Sequence, residues 1–375
     1  MLDGANQILP AEWNRLARRG FHLHNWFIAA ERCGWRPRHV AVRGVEGLRC
    51  VVPAYLTDRD SLHDLHDRWL GPVRDIAALG GINLRPVISV QAPFALTSEP
   101  LGRNDLSPDL LHRVFEALEA GALADGAKAV AWPCIDAGST QLLTVGKERG
   151  YTALYAGASA RIPVEWSSFD DYVASRSKNV RRTIKSDLGA IESARLRVEL
   201  VSDFRSAVPE MNALYRDAFR RRNLREAPVH RDFFQRLSSV PSDGIRAQLT
   251  WSDTRLVGTS LNLMTPDLLE GTLAAFTPEH WGGPVYYNDL AYEPIRLACR
   301  ERIAAIDLGA TALYAKVLRG AVLRRRFILI KGTTAARHRL LGALGRQIAR
   351  RTERKERRAL GGLWRPDLLL EGAAT

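Results

Sequence analysis

The sequence predicts an α/β protein made of two similar halves, residues 1–164 and 165–375. Segments with apolar residues at helical spacing alternate with the short apolar runs typical of strands. Each half contains a strand, a polar turn and a strand: HVAVRGVEGLRCVVP in the first and AQLTWSDTRLVGTSL in the second. A helix and a short apolar strand, AVAWPC or AAIDL, follow at a distance. Tandem duplication of one α/β unit explains this pattern, and two unrelated α/β domains would match it as well.

The first half is predicted to begin with helices over AEWNRLARR and LHNWFIAAER. The stretch RHVAVRGVEGLRCVVPAYL predicts two strands around a Gly-containing turn. A further helix, LHRVFEALEAGAL, precedes the strand KAVAWPCI. The predicted order is therefore helices, hairpin, helix and strand.

The second half begins with the basic amphipathic segment SSFDDYVASRSKNVRRTIKSDLGAIES. Ser168, with Asp171 three residues later, resembles a capping box, and apolar residues recur at helical spacing from Phe169 to Ile191. This pattern predicts one long helix. Its opposite face carries basic residues and no acid, namely Arg176, Lys178, Arg181, Arg182 and Lys185.

The remaining elements of the second half follow the order of the first. FRSAVPEMNALYRDAFRRR predicts a helix, IRAQLTWSDTRLVGTSLNLM a hairpin that turns at Ser252-Asp253, and LLEGTLAAF a strand. A helix through YNDLAYEPIRLACRER leads to the strand AAIDLG, and VLRRRFILI precedes a basic helix. The apolar positions expected to dock that last helix are Leu340, Leu341, Leu344 and Ile348.

The positive charge of the chain is concentrated in one segment. Residues 316–358 contain 15 Lys or Arg and two acids, Glu353 and Glu356, which accounts for the whole net charge of +13. A localised excess of this size favours a polyanionic partner, because phosphates neutralised by basic residues release counterions. A solvated helix face is the alternative interpretation. The residues expected to contact a nucleic acid are Arg181, Arg182, Lys185, Arg324, Arg325, Arg326, Arg346, Arg350, Arg351 and Arg354.

The order of motifs in the second half resembles a known family. The motifs are the basic helix FDDY…SKNVRRTIK, the hairpin LVGTSLNL, a strand that ends at Asp307-Leu308-Gly309, and Lys316 followed by Gly320. This order is similar to that of the duplicated acetyltransferase-like (GNAT-type) domains of the Fem family, most clearly over residues 160–335. The resemblance implies two tandem GNAT-like domains, each a mixed twisted sheet flanked by helices. It also implies transfer of an amino acid from aminoacyl-tRNA to an amine, with no further cofactor.

Three departures bear on the acceptor. Fem proteins usually have an aromatic residue just before the lysine, whereas Ala315 stands here and Tyr314 is one position further back. The double glycine after the strand is replaced by Gly309-Ala310, and no spare segment could form a long helical arm. These differences favour a small-molecule or peptide amine over a cell-wall precursor, as in antibiotic or natural-product biosynthesis.

Aminoacyl transfer to an amine passes through a tetrahedral oxyanion, which a fixed cation stabilises. Lys316 is the candidate for this role, or for bridging the terminal phosphate of the tRNA; a lysine that snorkels from a strand edge is the structural alternative. The acceptor must lose a proton, and Asp289, Tyr287 and Asp307 are the candidate bases or relays, each of which could instead be a cap or a core hydrogen-bonding group. Trp281 and Tyr314 are the expected substrate-binding residues.

Two other functions remain open at this point. The first is an acyl-CoA-dependent N-acyltransferase, although no [QR]-x-x-G-x-[GA] turn that would hold a pyrophosphate follows a strand. The second is an RNA-binding protein that keeps the fold without the chemistry. A serine hydrolase elbow and a phosphate-binding P-loop are both missing from the sequence.

The sequence predicts a cytoplasmic protein with no membrane span, no secretory signal and no metal. No apolar run reaches the length of a bilayer span. The four cysteines contain no C-x-x-C pair, and His63 and His66 lack a cluster of further ligands. The oligomeric state is not predicted.

Overall fold

The computed structural model describes residues 1–45, 47–57, 79, 81, 83–102, 106–223, 227, 229–240 and 244–364. In chain order the helices are α1 Pro10–Asn14, α2 His24–Glu31, α3 Pro108–Ala124, α4 Thr140–Glu148, α5 Phe169–Ala174, α6 Lys178–Ser193, α7 Val208–Asn223, α8 Phe233–Ser238, α9 Pro284–Tyr287, α10 Glu293–Glu301, α11 Leu313–Leu318 and α12 Ala335–Leu360. A π-helical turn, Asn288–Tyr292, joins α9 to α10.

The strands confirm the predicted α/β class. They are β1 Arg36–Pro37, β2 Val40–Gly44, β3 Gly47–Val52, β4 Ala54–Thr57, β5 Val87–Val90, β6 Leu101–Gly102, β7 Ala129–Asp136, β8 Thr152–Pro163, β9 Arg197–Val201, β10 Ile245–Ser252, β11 Arg255–Met264, β12 Leu268–Phe276, β13 Ala305–Asp307 and β14 Val322–Gly332. The predicted hairpins correspond to β2–β3 and to β10–β11, and the predicted strand LLEGTLAAF is β12.

The chain forms two compact units. The first comprises Met1–Ala17, His22–Ser159 and Arg324–Thr375, and the second comprises Arg18–Phe21 and Ala160–Leu323. The domains 1–164 and 165–375 stay a prediction, and the units differ from them at the C-terminal end. The segment from Arg324 onward lies in the first unit because β14 pairs with β7 in antiparallel register, from Arg326↔Asp136 to Gly332↔Ala129.

The first unit contains a mixed sheet with neighbour order β1-β4-β5-β7-β14-β8 and a small sheet β2-β3-β6. Helix α3 joins β5 to β7, which run parallel. Ser107 caps this helix by accepting a hydrogen bond from the Leu110 amide at 3.3 Å. Its apolar face then packs on the sheet, with the Phe115 ring 5.0 Å from that of Trp132.

The basic helix α12 packs on the first unit. Leu341 is buried, and Leu340, Leu344 and Ile348 pack around the same cluster, which includes Ile328 on β14. The predicted docking face of this helix is therefore confirmed. Burying such a stripe leaves the opposite, basic face of the helix in solvent.

The second unit contains a mixed sheet in which the end of β8, residues 160–163, is followed by β13-β12-β11-β10-β9. Within it β12 and β13 run parallel and share three residue pairs: Leu268↔Ala305, Leu269↔Ile306 and Glu270↔Asp307. The π-helical turn and α10 lie between these strands in sequence and pack on the sheet.

The prediction of one long helix after Ser168 is wrong. The structure has two helices, α5 and α6, separated by residues 175–177. The Ser175 hydroxyl donates to the Tyr172 carbonyl at 2.6 Å, and the Arg181 guanidinium donates to the Arg176 carbonyl at 2.7 Å. These side-chain bonds satisfy backbone acceptors that a continuous helix would have used, so the chain turns here.

No helix in the described part of the chain combines the length and the apolar character needed to cross a bilayer.

Candidate active site

The parallel strands of the second unit part after Glu270 and Asp307, where their pairing ends. Beyond this point residues 271–274 of β12 are half-buried, although β12 is an inner strand of the sheet. A Cβ added at Gly271 would meet nothing within 4 Å. Leu273 has φ 48° next to a register shift against β11, which marks a β-bulge. We call the opening bounded by residues 271–274 and Leu308 the strand gap.

Lys316 brings a cation to the strand gap. Helix α11 starts after Ala312, and the Lys316 Nζ donates a hydrogen bond to the Leu308 carbonyl just beyond β13. The side chain is nine-tenths buried. Burial lowers the pKa of Lys316 to about 8, and the negative charge of Asp307 opposes this shift. The ammonium is therefore mostly protonated at pH 7.

Asp307 ends β13 and is held by neighbouring charges. Its carboxylate accepts a hydrogen bond from the Gly309 amide at 2.9 Å and lies 3.7 Å from Arg19 and 3.9 Å from Arg161. Glu270, its register partner on β12, pairs with Arg19 at 2.7 Å. These contacts give Asp307 an electrostatic role beside Lys316 and leave it poorly placed to accept a proton from a substrate.

Tyr287, at the end of α9, lies under a guanidinium that the sequence did not single out. The Arg319 Cζ is 3.7 Å from the Tyr287 ring centroid. Arg319 directly follows α11, so this contact shows that the elements carrying Tyr287 and Lys316 are adjacent. The signal in the sequence was the arginine of KVLRG, whose partners are too distant in sequence to be predicted.

Asp289 lies in the core of the second unit. It is 1% exposed, and its carboxylate accepts hydrogen bonds from the Gln248 amide at 2.8 Å and the Thr250 hydroxyl at 2.9 Å. Burial raises the pKa of Asp289 to about 7, and these hydrogen bonds oppose the shift. The geometry matches the core hydrogen-bonding alternative, so the protonation of this acid bears on stability.

Trp281 and Tyr314 are both half-exposed. Trp281 follows β12, with its ring 5.8 Å from Phe276 and 5.3 Å from Tyr286, and Tyr314 lies on α11 after β13. The carboxyl ends of parallel strands meet at one edge of a sheet. Both aromatic side chains therefore belong to the same edge as Lys316.

The basic face of α6 projects from the second unit. Arg182 and Lys185 are exposed and Arg181 is half-buried, while Ile184 is the buried residue of the helix. Asp187, on the same helix, accepts a hydrogen bond from the Tyr292 hydroxyl at 2.6 Å. One side of α6 thus joins the region of Tyr287 and Arg319, and the other presents cations to solvent.

The triplet Arg324–Arg326 in the first unit is divided between structural roles. The guanidinium of Arg324 lies 3.0 Å and that of Arg326 3.2 Å from the Asp136 carboxylate, and Arg326 is 3% exposed. Arg325, on the opposite side of β14, lies 5.8 Å from the Tyr155 ring centroid. Since Asp136 neutralises Arg324 and Arg326, the proposal below does not use these two residues.

Helix α12 presents the other predicted contacts in the first unit. Arg346, Arg350, Arg351 and Arg354 are exposed. Arg351 and Arg354 line a shallow surface depression with Lys355 and Arg358. Glu356 points inward, accepting hydrogen bonds from the Tyr155 hydroxyl at 2.6 Å and the Ala158 amide at 3.0 Å. With this acid turned to the core, the outer face is almost uniformly positive.

Within the described ranges, no three His, Cys, Asp or Glu side chains are close enough to share a metal ion. The pair His63 and His66 lies outside those ranges.

Comparison with known proteins agrees with the fold. The model of the FemAB-like family, described as peptidoglycan biosynthesis/recognition, matches residues 4–328. The crystal structure of FemX is similar with a TM-score of 0.56 and 11% identity, covering 86% of this chain and 96% of FemX. The C-terminal domain of a putative lysylphosphatidylglycerol synthetase from Agrobacterium fabrum gives 0.55 and 15%, covering 89% and 93%. L-PGS from Bacillus licheniformis gives 0.54 and 10%, covering 87% and 92%.

At these identities the structural matches establish the shared fold and not a shared activity. A search of curated proteins found no significant match.

Proposed function

The chain belongs to the FemAB-like family, and we propose that it is a transferase that moves an aminoacyl group from aminoacyl-tRNA to the amine of a small-molecule or peptide acceptor. The observation that carries this proposal is the buried ammonium of Lys316 at the strand gap. A cation held in a site that excludes most water stabilises developing negative charge far better than one in solvent.

The reaction needs little from the protein beyond orientation and charge. The acceptor nitrogen attacks the ester carbonyl, so that a C–N bond forms and the C–O bond to the ribose breaks. The amine loses a proton, and the departing ribose oxygen gains one. The ester is already activated, and Lys316 stabilises the intermediate oxyanion or a terminal phosphate of the donor.

Tyr287 is the better placed of the candidate proton relays. Asp289 is bonded to Gln248 and Thr250 inside the core, and Asp307 is held by two arginines. Tyr287 is half-buried at the edge where β12 and β13 end. Its phenol would pass a proton from the attacking amine toward the ribose oxygen, while Trp281 and Tyr314 would stack on the donor adenine or the acceptor.

Basic surfaces support tRNA as the donor. Exposed cations on α6 (Arg182 and Lys185) and on α12 (Arg346, Arg350, Arg351 and Arg354) can neutralise phosphates without reading bases. An acyl-CoA donor would need far fewer cations. Charged tRNA is a cytoplasmic substrate, so we place the reaction there.

The acceptor class follows from the sequence and not from the site geometry. The departures near the lysine favour a small amine or a peptide, as in natural-product or antibiotic biosynthesis. Two structurally similar proteins carry lysylphosphatidylglycerol in their names, so the assay must also include a lipid acceptor.

The test is to identify by mass which acyl group moves. The purified protein is incubated with a pool of charged tRNAs, or separately with acetyl-CoA, and with amines, peptides or phosphatidylglycerol vesicles. We expect an acceptor amine to gain one aminoacyl mass, with a matching loss of one aminoacyl-tRNA. Acetylation of the amine with no consumption of charged tRNA would contradict the proposal, as would aminoacylation of the lipid alone.

A further inference from the structure

Arg319 has the densest set of polar contacts near the strand gap. It is 7% exposed. Its Nε and Nη2 lie 3.3 and 3.2 Å from the Tyr292 hydroxyl oxygen, and its Nη2 is 3.6 Å from the Asp187 carboxylate. Its Nη1 donates to the Ala315 carbonyl at 3.0 Å, and the flat face of the guanidinium covers the Tyr287 ring.

These contacts tie together four elements of the second unit. Asp187 is on α6, Tyr287 ends α9, Tyr292 ends the π-helical turn, and Ala315 is on α11. The backbone also takes part, because the Arg319 carbonyl accepts from the Tyr172 hydroxyl at 3.1 Å.

The backbone around Arg319 bears directly on Lys316. The Lys316 carbonyl accepts hydrogen bonds from the amides of Arg319 and Ala321, both at 3.0 Å, which closes the end of α11. Gly320 has φ 96°, and a Cβ there would collide with the Arg176 guanidinium. The turn after Lys316 is therefore packed tightly against the segment between α5 and α6, and it needs glycine.

We propose that Arg319 is a positioning residue that fixes Lys316 and Tyr287 relative to each other and to the basic helix α6. This inference rests on the proposed function. Arginine suits the role because its planar fork can donate in several fixed directions while its face stacks on an aromatic ring. Lysine keeps the charge and loses both the fork and the stacking.

The clamp also links two features that otherwise seem separate. Asp187, which Arg319 and Tyr292 contact, is two residues after Lys185 on the exposed basic face of α6. A nucleic acid bound along that face would rest on a helix that Arg319 holds against the lysine. Binding of the donor and placement of the ammonium therefore depend on the same contacts.

The kinetic test uses Arg319→Lys and Tyr292→Phe, with Arg296→Lys as the matched control. Arg296 is also an arginine over an aromatic ring, 4.1 Å from the Phe169 centroid, and it pairs with Glu293 on α10. We expect R319K to lower kcat for aminoacyl transfer about 10²-fold, the order expected for a misplacement of about 1 Å. The KM for the donor should change by less, and R296K should leave both constants near wild type.

The second measurement does not need activity. Lys316 is acetylated with acetic anhydride over a pH series, and its labelling is followed by mass spectrometry. The charged group facing Lys316 is Asp307, itself paired with Arg19 and Arg161. In wild type and R296K half-maximal reactivity should fall near pH 8; in R319K and Y292F it should move toward the ordinary lysine value of 10.5, because the loosened ammonium becomes hydrated.

The outcomes separate the two proposals. A shift in R319K labelling together with no aminoacyl transfer by wild type would support the clamp and reject the proposed function. A labelling profile in R319K and Y292F that matches R296K would overturn the clamp, whatever the transfer assay shows.

Discussion

The two units use the same frame of parallel strands and treat its open end differently. In the first unit β5 and β7 pair over Val87↔Ala129 to Ser89↔Ala131, three pairs as in β12 and β13. Beyond these pairs residues 91–95 are buried, and Ser98 donates to and accepts from β7 through the backbone of Cys134. The chain fills its own opening.

In the second unit the corresponding positions stay open. Residues 271–274 are half-buried, and the last strand pair consists of two acids, Glu270 and Asp307, neutralised by Arg19. The first unit has Ser89 and Ala131 at that place. The difference teaches that a duplicated frame supplies a potential site in both copies, and that side-chain choice at the end of the paired stretch decides which copy stays open for a ligand.

The largest expected effect comes from removing the cation at the open end. Lys316→Met keeps most of the volume and should lower kcat about 10² to 10³-fold, because one preorganised donor to an oxyanion is lost. Single-turnover transfer followed by mass measures this, and tRNA affinity should move far less. Lys331→Met is the control, since Lys331 is a half-buried lysine of the first unit that donates to the Arg149 carbonyl at 2.8 Å. Equal product formation by K316M and K331M would exclude Lys316 from the mechanism.

Filling the strand gap should make the second unit resemble the first. Gly271→Val places a side chain where a Cβ has free space, so we expect the protein to fold with a similar melting temperature. Transfer should fall about tenfold or more, because a 1 Å displacement of a reacting group already costs on that scale. Gly189→Ala on α6, also unobstructed, is the control for a glycine replacement. Wild-type kcat/KM in G271V would show that no substrate enters this opening.

Asp289 marks a second contrast, under the helices that follow the parallel strands. Helix α3 of the first unit covers its sheet with apolar residues such as Leu111 and Phe115, whereas the second unit places Asp289 on Gln248 and Thr250. Because the folded-state pKa is raised from 3.8 to about 7, the folded protein binds the extra proton between these values and its stability falls as pH rises through that window.

Asp289→Asn should remove this pH dependence. Relative to wild type, the gain in unfolding free energy should grow from pH 4 to pH 7 and reach at most about 4 kcal/mol. Chemical denaturation at several pH values measures it. A pH-independent difference would show that the carboxyl is ionised in the fold, and loss of transfer with unchanged stability would return Asp289 to the list of catalytic bases.

The smallest change compares the two basic surfaces. Neutralising Arg350, Arg351 and Arg354 together should reduce the slope of log affinity for tRNA against log salt by about 2 to 3, since each phosphate contact contributes about 0.7 to 0.9. Replacing Arg182 and Lys185 should reduce it by less, because fewer charges are removed. The control is a triple replacement of Arg197, Arg205 and Arg300, which pair with neighbouring acids. A salt-independent affinity in wild type would remove the tRNA hypothesis.

Local patterns predicted most elements of both units, because period and turn chemistry act over a few residues. The strand β12 and the docking face of α12 are examples. The break between α5 and α6 was missed because hydrogen bonds from Ser175 and Arg181 override a continuous apolar stripe. The placement of β14 beside β7 was missed because strand pairing across almost 200 residues leaves no local signal.

The site was predicted in part for the same reason. Lys316 stood out as a single cation in an apolar stretch, and the structure buries it. Arg319, three residues on, could not be distinguished from any other arginine until Asp187, Tyr287 and Tyr292 were brought around it. Arg324 and Arg326 looked like phosphate ligands because the acid that neutralises them, Asp136, is distant in sequence.

The most direct test of the account is the pH dependence of single-turnover transfer by wild type relative to Lys316→Arg. The ratio cancels the ionisation of the acceptor amine, which is common to both proteins. Because the pKa of Lys316 is lowered to about 8 and an arginine stays charged, the ratio of wild-type to K316R rate should be constant below pH 7 and fall through pH 8 to 9. A ratio that rises through this range would mean that the neutral amine of Lys316 is the active form, which contradicts its role as the fixed cation.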